Sequence, residues 1–384
     1  MTEIMIVRIN PQLEKKMIMA TVESIAFDNN GILFGGAVRD EIISQHYTRE
    51  YHGYAMAIDE ALPHIKPLSH SIRSEEFWDI TVHPESAART LVPEDLDIYF
   101  KNLMDAEKFF SSVRERYGSK FIVPENSCTD TELFYSGSFA PSMIQVKKCV
   151  LQMKLGEMAS FTGYNLDIRI DVVFPKNTSE LYMEPPFGCV DLLCNAFIKE
   201  RNNSPRISKD AGEWYKSLSV FKKAIVTAKI IKNMLEFKTD IVKNRSYSNE
   251  PLNDICRYIK MMSKPRFPWT INNLPYDVVD SSSLTTEDTI LCCICQCNLV
   301  EENISSKIAK IRAKNSEGQN IPGAKMHNEC FLKFLTHQMG GLDRATRRNN
   351  LRNYTSDDVR CPFKSHVNFD NCDRIINWDN YLTL

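Results

Sequence analysis

Residues 31–40, Gly31-Ile32-Leu33-Phe34-Gly35-Gly36-Ala37-Val38-Arg39-Asp40, run a short apolar strand into two glycines and then into a helix. Asn29, Asn30 and Gly31 supply a turn ahead of the strand, and Val38, Ile42 and Ile43 supply helical spacing after it. A Gly-Gly pair at such a junction lets backbone N–H groups come close to a ligand and aims the positive end of a helix at it. A triphosphate meets that description. A plain tight turn has the same sequence, so the pair takes its meaning from the strands downstream of it.

Two later stretches alternate with period two. Leu96, Ile98 and Phe100 alternate with Asp95, Asp97 and Tyr99, which predicts a half-buried strand with both aspartates on one face. Leu166, Ile168, Ile170, Val172 and Phe174 predict a second strand, with Asp167, Arg169 and Asp171 on its other face and Pro175 at its end. Two carboxylates two residues apart can hold divalent cations, and a third from a neighbouring strand completes a site for two Mg²⁺ or Mn²⁺ ions. Asp171 or Asp167 fits the third place. The plainer alternative is a set of solvated aspartates on an exposed sheet face.

Gly35-Gly36-Ala37-Val38-Arg39-Asp40 is similar to the Gly-Gly-x-Val-Arg-Asp signature of CCA-adding enzymes and bacterial poly(A) polymerases, members of the DNA polymerase β-like nucleotidyltransferases. Asp95-Leu96-Asp97-Ile98 resembles their metal-binding strand. Asp191-Leu192-Leu193-Cys194-Asn195-Ala196 resembles the stretch that leads from their catalytic head into the neck. The resemblance covers about residues 30–200. It departs from the family in the long insertion at 46–93 and in Cys189 and Val190, which stand where arginines are expected.

The resemblance implies an α+β fold, with a nucleotidyltransferase head built on a small mixed sheet. It also implies Mg²⁺- or Mn²⁺-dependent transfer of a nucleotide from a nucleoside triphosphate to a hydroxyl, by the resemblance an RNA 3′ end; a protein hydroxyl is the alternative acceptor. Asp95, Asp97 and Asp171 would be catalytic, with Asp171 preferred to Asp167. Gly35, Gly36, Arg39, Asp40, Arg169, Asp191 and Asn195 would surround the nucleotide. Four of these also have plainer readings: Arg39 as a solvated helix residue, Asp40 as a favourable charge near a helix N-terminus, Asn195 as an interior hydrogen-bonding group, and Arg169 as half of a structural ion pair.

The remaining sequence bounds the organisation. A length of 384 residues suggests two or three domains, and 43% hydrophobic with 25% charged residues is ordinary globular composition. The N-terminal residues, with charges interrupting the apolar ones, read as neither a secretory signal nor a membrane span, so an intracellular, cytoplasmic protein without membrane attachment is expected. A lead-in helix is expected before residue 30, a helix over Met104 to Tyr117, and helices over Gly188 to Lys199 and Trp214 to Phe237. The last places Leu218, Phe221, Ile225, Ile230, Ile231 and Leu235 on one face. The expected domains are the head at 1–200, a helical neck at 201–263, a proline- and serine-containing linker at 264–290 and a small C-terminal domain at 291–384.

That last domain carries seven of the twelve cysteines. Cys292 and Cys295, with His327 and Cys330, form two pairs each separated by two residues, a ligand set for tetrahedral Zn²⁺. Cys361, His366 and Cys372, with Cys297 or Cys293, offer a second set. The arrangement is similar to treble-clef and RING-like fingers. Twelve lysines and arginines lie between Lys307 and Lys364, among them Arg344, Arg347, Arg348 and Arg352, a local basic bias compatible with RNA or an acidic partner protein, with a solvated face as the plainer reading. The rival to a nucleotidyltransferase is a zinc-finger adaptor or ubiquitin-ligase-like protein whose head is an inactive scaffold.

Overall fold

The computed structural model describes residues 11–47, 91–123, 144–155, 164–176, 182–188, 190–242, 261, 269–273, 277–281, 284, 291–299, 307–310, 312–314, 320–321, 325–338, 366–368 and 378–382. Most of the expected insertion at 46–93 lies outside these residues, as do Cys361, Cys372 and the four arginines from 344 to 352. The chain divides into two compact units, Met1–Phe237 with Asp379–Leu384, and Lys238–Trp378.

The first unit is a mixed α+β fold around a seven-stranded sheet. Its strands are β1 (Ile32–Phe34), β2 (Asp95–Tyr99), β3 (Phe121–Ile122), β4 (Ile144–Leu155), β5 (Tyr164–Pro175), β6 (Phe197–Lys199) and β7 (Arg206–Ile207). Their spatial order is β3-β4-β5-β2-β1-β6-β7. The β2–β5 pair is parallel and every other neighbouring pair is antiparallel. The expected mixed sheet is therefore present, with seven strands where a small sheet is expected.

Helices α1 (Pro11–Asp28) and α3 (Leu103–Tyr117) pack against each other and against β5, and a helix over residues 36–47, α2, follows β1. Asn102 begins α3 by accepting a hydrogen bond from the backbone N–H of Asp105 (2.8 Å). The buried stripe of α3, Ala106, Phe109, Phe110 and Val113, has helical spacing. Phe110 packs edge-on to Phe174 at 6.1 Å and Phe109 meets Phe100 at 5.2 Å. Each such ring contributes roughly 1.5–3 kcal/mol by burial. The helices thus cover the face that carries Leu96, Ile98, Ile168, Ile170 and Val172, all fully buried.

Three expectations are corrected by the structure. The stretch 188–199 is not a helix: it forms a 3₁₀ turn at Leu193–Asn195 and then strand β6, paired with both β1 and β7. Its apolar run is buried on all sides, and such a run has no period that separates a helix from a central strand. The stretch 214–237 is broken into a single turn, Glu213–Lys216, and helix α4, Val220–Leu235, which Ser219 caps by accepting from Lys222 N–H (3.4 Å). Its buried face is Val226, Ile230 and Met234, whereas Phe221 is 70% exposed. The domain boundary falls at Phe237 rather than at 200 or 264, because β6 and β7 extend the sheet to Ile207 and α4 packs on the same unit.

The second unit contains a parallel pair, β8 (Lys238–Thr239) with β9 (Thr270–Ile271), and two small antiparallel sheets. One joins β10 (Asp277–Asp280), β11 (Lys307–Lys310) and β14 (Lys325–His327); the other joins β12 (Arg312–Lys314), β13 (Asn320–Ile321) and β15 (His366–Asn368). Helix α5 (Asn328–Gln338) follows β14 directly. Among the described residues, no helix is long and apolar enough to cross a membrane.

Against the Tyr99 end of β2, the segment at 182–188 is fastened by Glu184, which is buried and accepts from both terminal nitrogens of Arg206 (2.8 and 3.0 Å) and from Lys209 N–H (3.0 Å). Burial opposes the Glu184 charge, but these donors outweigh it and hold the carboxyl below its ordinary value. A lowered folded-state value means that ionised Glu184 stabilises the fold above the unfolded value and stops doing so as acid protonates it. We expect the melting temperature to fall as pH drops below about 4.5. Glu184→Gln should lower stability at neutral pH by roughly 1–3 kcal/mol and flatten that acid limb. An unchanged acid limb in Glu184→Gln would remove the assignment.

Candidate functional site

Two sites arise from the sequence motifs, one in each unit. In the first unit the parallel register pairs Asp95 with Arg169 and Asp97 with Asp171. Directly paired residues point to the same side of a sheet, so Asp95, Asp97, Arg169 and Asp171 share the face opposite the helices. On β4 the same face carries Lys148, the register partner of Asp171, and Gln152, the partner of Asp167. Asp171 lies directly beside Asp97. Asp167 is exposed and lies beyond the end of β2, with no partner residue in that strand.

This face is not uniformly open. Towards the far end of β2, Tyr99, Val173 and Val146 are buried side by side, and Phe187 stacks edge-on to Tyr99 at 5.2 Å. Towards β1, Phe34 and Ile198 are buried as well. Asp95, Asp97 and Asp171 are half-buried, at the border between that covered region and the open stretch holding Asp167 and Arg169. The border gives the carboxylates water on one side and an apolar wall on the other. On the reverse face, burial first and the Asp171 charge second push the Cys149 thiol up to about 12, so it stays protonated and inert.

The glycine turn reaches the same place. Gly35 follows Phe34, which is paired with Asp97, and adopts φ +71°, a conformation that favours glycine. A Cβ on Gly35 would lie 3.1 Å from Asp97 Oδ2, so the bare backbone is what lets the turn approach the carboxylate. Gly36 carries no such requirement: its added Cβ would make only ordinary contact, 3.5 Å from Arg39 Nη2. The expected steric role therefore belongs to Gly35. Helix α2 starts here, with Arg39 N–H donating to Gly35 O (3.2 Å).

Arg39 is neither a solvated helix residue nor open to the carboxylate face. It is 1% exposed, and its Nε donates to Asp40 Oδ1 (2.7 Å) and its Nη1 to Asn195 Oδ1 (2.9 Å). Asn195 Nδ2 in turn donates to Asp191 Oδ1 (3.0 Å), which also accepts from Leu192 N–H (2.9 Å). Four of the motif residues, Arg39, Asp40, Asp191 and Asn195, thus form one polar chain, buried at Arg39 and Asp40 and half-buried at Asn195 and Asp191, that ties α2 to the 3₁₀ turn before β6. Removing one partner of a buried ion pair costs about 3–5 kcal/mol. This polar chain anchors the start of α2 next to the glycine turn; the family resemblance sets the same residues around the nucleotide.

In the second unit, Cys292, Cys295, His327 and Cys330 bring their ligand atoms within 4.8 Å of one another. Among the described residues this is the group of potential ligands that converges so closely; the strand carboxylates share a face without doing so. Cys292 and Cys295 lie in a tight loop closed by Cys292 N–H donating to Cys297 O (2.8 Å) and Gln296 N–H to Cys292 O (2.9 Å). His327 ends β14 and Cys330 lies in the first turn of α5.

The donor set fits a tetrahedral metal such as zinc. A tetrahedron with Zn–S near 2.3 Å has edges of roughly 3.8 Å between sulfurs and roughly 3.5 Å between sulfur and nitrogen. Cys295 Sγ lies 3.4 Å from His327 Nδ1. His327 Nε2 is 3.0 Å from the carbonyl of Asn298, which can only accept, so in the neutral ring Nε2 holds the proton and Nδ1 offers its lone pair to the cluster. The backbone N–H of Cys297 holds the Cys295 thiol below its usual range, while burial and the neighbouring thiols push Cys330 up to about 12. Of the second expected set, Cys297 is exposed, His366 lies on β15, and Cys361 and Cys372 fall outside the described residues.

Purified full-length protein should carry zinc at the Cys292, Cys295, His327 and Cys330 group, and both Cys330→Ser and His327→Ala should lower its zinc content by one ion per chain. Loading should weaken on acidification, because ligand thiols must lose protons to bind. Elemental analysis of folded wild-type protein that found no zinc would contradict the assignment.

Compared with known protein families, with curated proteins and with solved structures, the chain matches none.

Proposed function

We propose that the first unit is a metal-dependent nucleotidyltransferase that moves a nucleotide from a nucleoside triphosphate to a hydroxyl, with an RNA 3′ end as the acceptor. The observation that carries this reading is the register of β1, β2 and β5. It places Asp97 between Gly35 on one flank and Asp171 on the other, with Asp95 two residues away on the same face.

Like charges placed side by side repel, and three carboxylates on two neighbouring strands favour a multivalent cation among them. Asp95, Asp97 and Asp171 would hold Mg²⁺ or Mn²⁺. Ions of this kind, when bound, lower the pKa of an attacking hydroxyl and neutralise charge on a leaving pyrophosphate. The chain's own part is positioning. Gly35 lets the backbone at the start of α2 come close to the phosphates, and the α2 N-terminus favours their charge. The Arg39, Asp40, Asn195 and Asp191 chain fixes the angle of α2. Tyr99, Val173 and Phe187 close off water behind the site.

The second unit is read as a zinc-stabilised module that supports binding to RNA or to a partner protein. A structural zinc contributes about 10–16 kcal/mol to small domains of this kind. The rival reading, an adaptor with an inactive head, draws on the Cys/His group that both readings share and on strand carboxylates that do not converge as closely; the register of Gly35, Asp97 and Asp171 favours the enzyme.

The test is incorporation of labelled nucleotide into mixed RNA with each of the four triphosphates separately, in Mg²⁺ or Mn²⁺. Wild-type protein should incorporate label, and Asp97→Asn should lower kcat by a factor of about 10³ or more while melting no earlier than wild type, since it removes repulsion. Turnover in Asp97→Asn equal to wild type would refute the carboxylate assignment.

A further inference from the structure

We infer that the β4–β5 ribbon beside Asp171 is the track along which a polyanionic acceptor, the phosphate backbone of a single-stranded nucleic acid, approaches the site, with Arg169 and Lys154 as its cationic contacts. This inference rests on the nucleotidyltransferase reading and adds to it the side from which the acceptor comes and the residues that hold it.

The order of groups across the sheet sets the direction. On the carboxylate face, the β1 flank ends in the Gly35 turn, then come Asp97 on β2, Asp171 on β5 and Lys148 on β4. In nucleotidyl transfer the acceptor hydroxyl oxygen bonds to the α-phosphorus as the bond from that phosphorus to the bridging oxygen breaks. Pyrophosphate leaves with that electron pair and the hydroxyl proton passes to water. Attacking and leaving oxygens lie roughly in line. A triphosphate held at the Gly35 turn therefore has its leaving group on the β1 flank, and the hydroxyl must come from the β5 and β4 flank.

That flank has the form and charge to receive a chain. β4 and β5 pair without interruption from Ile144 with Pro175 to Leu155 with Tyr164, while β2 pairs only with residues 169–173. The two-stranded ribbon thus runs on past β2, reaching roughly 20 Å beyond Asp171 at about 3.3 Å per residue. By register its carboxylate face carries Gln152 and Lys154 from β4 and Asn165, Asp167 and Arg169 from β5. Gln152, Lys154, Asn165, Asp167 and Arg169 are all exposed, whereas Leu151, Ile168 and Ile170 on the reverse face are fully buried. Cations and amides, with Asp167 between them, line an open strip that leads to the carboxylates. Backbone phosphates are held by such cations and amides without regard to base identity.

The opposite flank cannot serve. Beyond Gly35 the same face is filled by the buried side chains of Phe34 and Ile198, and beyond Tyr99 by Val173 and Phe187. The ribbon is the open approach among the described residues.

The experiment uses full-length protein, a short mixed-sequence single-stranded RNA, and the variants Arg169→Gln, Lys154→Gln and Arg169→Lys. Two quantities are read: RNA affinity by fluorescence anisotropy without triphosphate, and steady-state KM for RNA and for the triphosphate. Both glutamine variants should weaken RNA binding and raise the RNA KM by about tenfold and lower the salt slope by about one, and Lys154→Gln should also leave the triphosphate KM within about twofold. Arg169→Lys should restore most of the affinity, since a phosphate needs the charge rather than the guanidinium. RNA binding and RNA KM equal to wild type in both glutamine variants would overturn the track, as would transfer to a protein hydroxyl that ignores both substitutions. The failures are separable: loss of RNA binding in variants of a protein that transfers no nucleotide keeps the track and ends the nucleotidyltransferase reading, while active transfer with an unchanged RNA KM does the reverse.

Discussion

Parallel pairing of β2 with β5 is the constraint on which the rest of the first unit turns. It sets Asp97 beside Asp171 on one face and Leu96, Ile98, Ile170 and Val172 on the other, where α1 and α3 cover them. A slip of one residue would bring the carboxylates into the helix-packed core, at a cost no fold of this size could absorb. The buried face therefore dictates the register, and the register brings together two like charges that neither strand would gather alone. Repulsion between them is a penalty that the fold carries, and it is the basis of the proposed cation site.

The glycine turn belongs to the same logic one strand further on. Antiparallel pairing of Phe34 with Asp97 means that the residue after Phe34 must pass close to the carboxylate, and φ +71° at Gly35 turns the chain there into α2. What keeps α2 in place is a buried charge. Arg39, wholly enclosed, holds Asp40 on its own helix and Asn195 from the turn before β6, and Asn195 holds Asp191. A buried ion pair of this kind is weak evidence for stability, yet its geometry admits few alternatives, which fixes the turn at Gly35.

Much of this is legible in the sequence where one side of an element faces water. β2 and β5 show period two because their outer faces are charged. The strand, glycine and helix order at 31–40 shows because a turn residue punctuates it, and the Cys292, Cys295, His327 and Cys330 spacing shows because metal ligands tolerate few spacings. Legibility fails where burial loses its period. On β4 the buried residues are Ile144 and Val146 and then Cys149 and Leu151, because the covered side of the sheet changes along the strand, so no alternation survives in the sequence. β6 is enclosed on both faces and reads like a helix. Arg39 and Asn195 lie 156 residues apart, and only tertiary structure brings them together. On α4 the choice of Val226, Ile230 and Met234 over Phe221 as the buried face is set by what it packs against, which its own periodicity does not contain.

If the strand carboxylates and the Gly35 turn form one site for a metal-bound triphosphate, both ligands must be found there together. Anomalous diffraction from crystals grown with Mn²⁺ and a non-hydrolysable nucleoside triphosphate would locate them. Manganese peaks are expected among the carboxylates of Asp95, Asp97 and Asp171, with the triphosphate lying against the backbone at Gly35 and the start of α2. Manganese and nucleotide bound elsewhere, with these three carboxylates bare, would contradict the shared site.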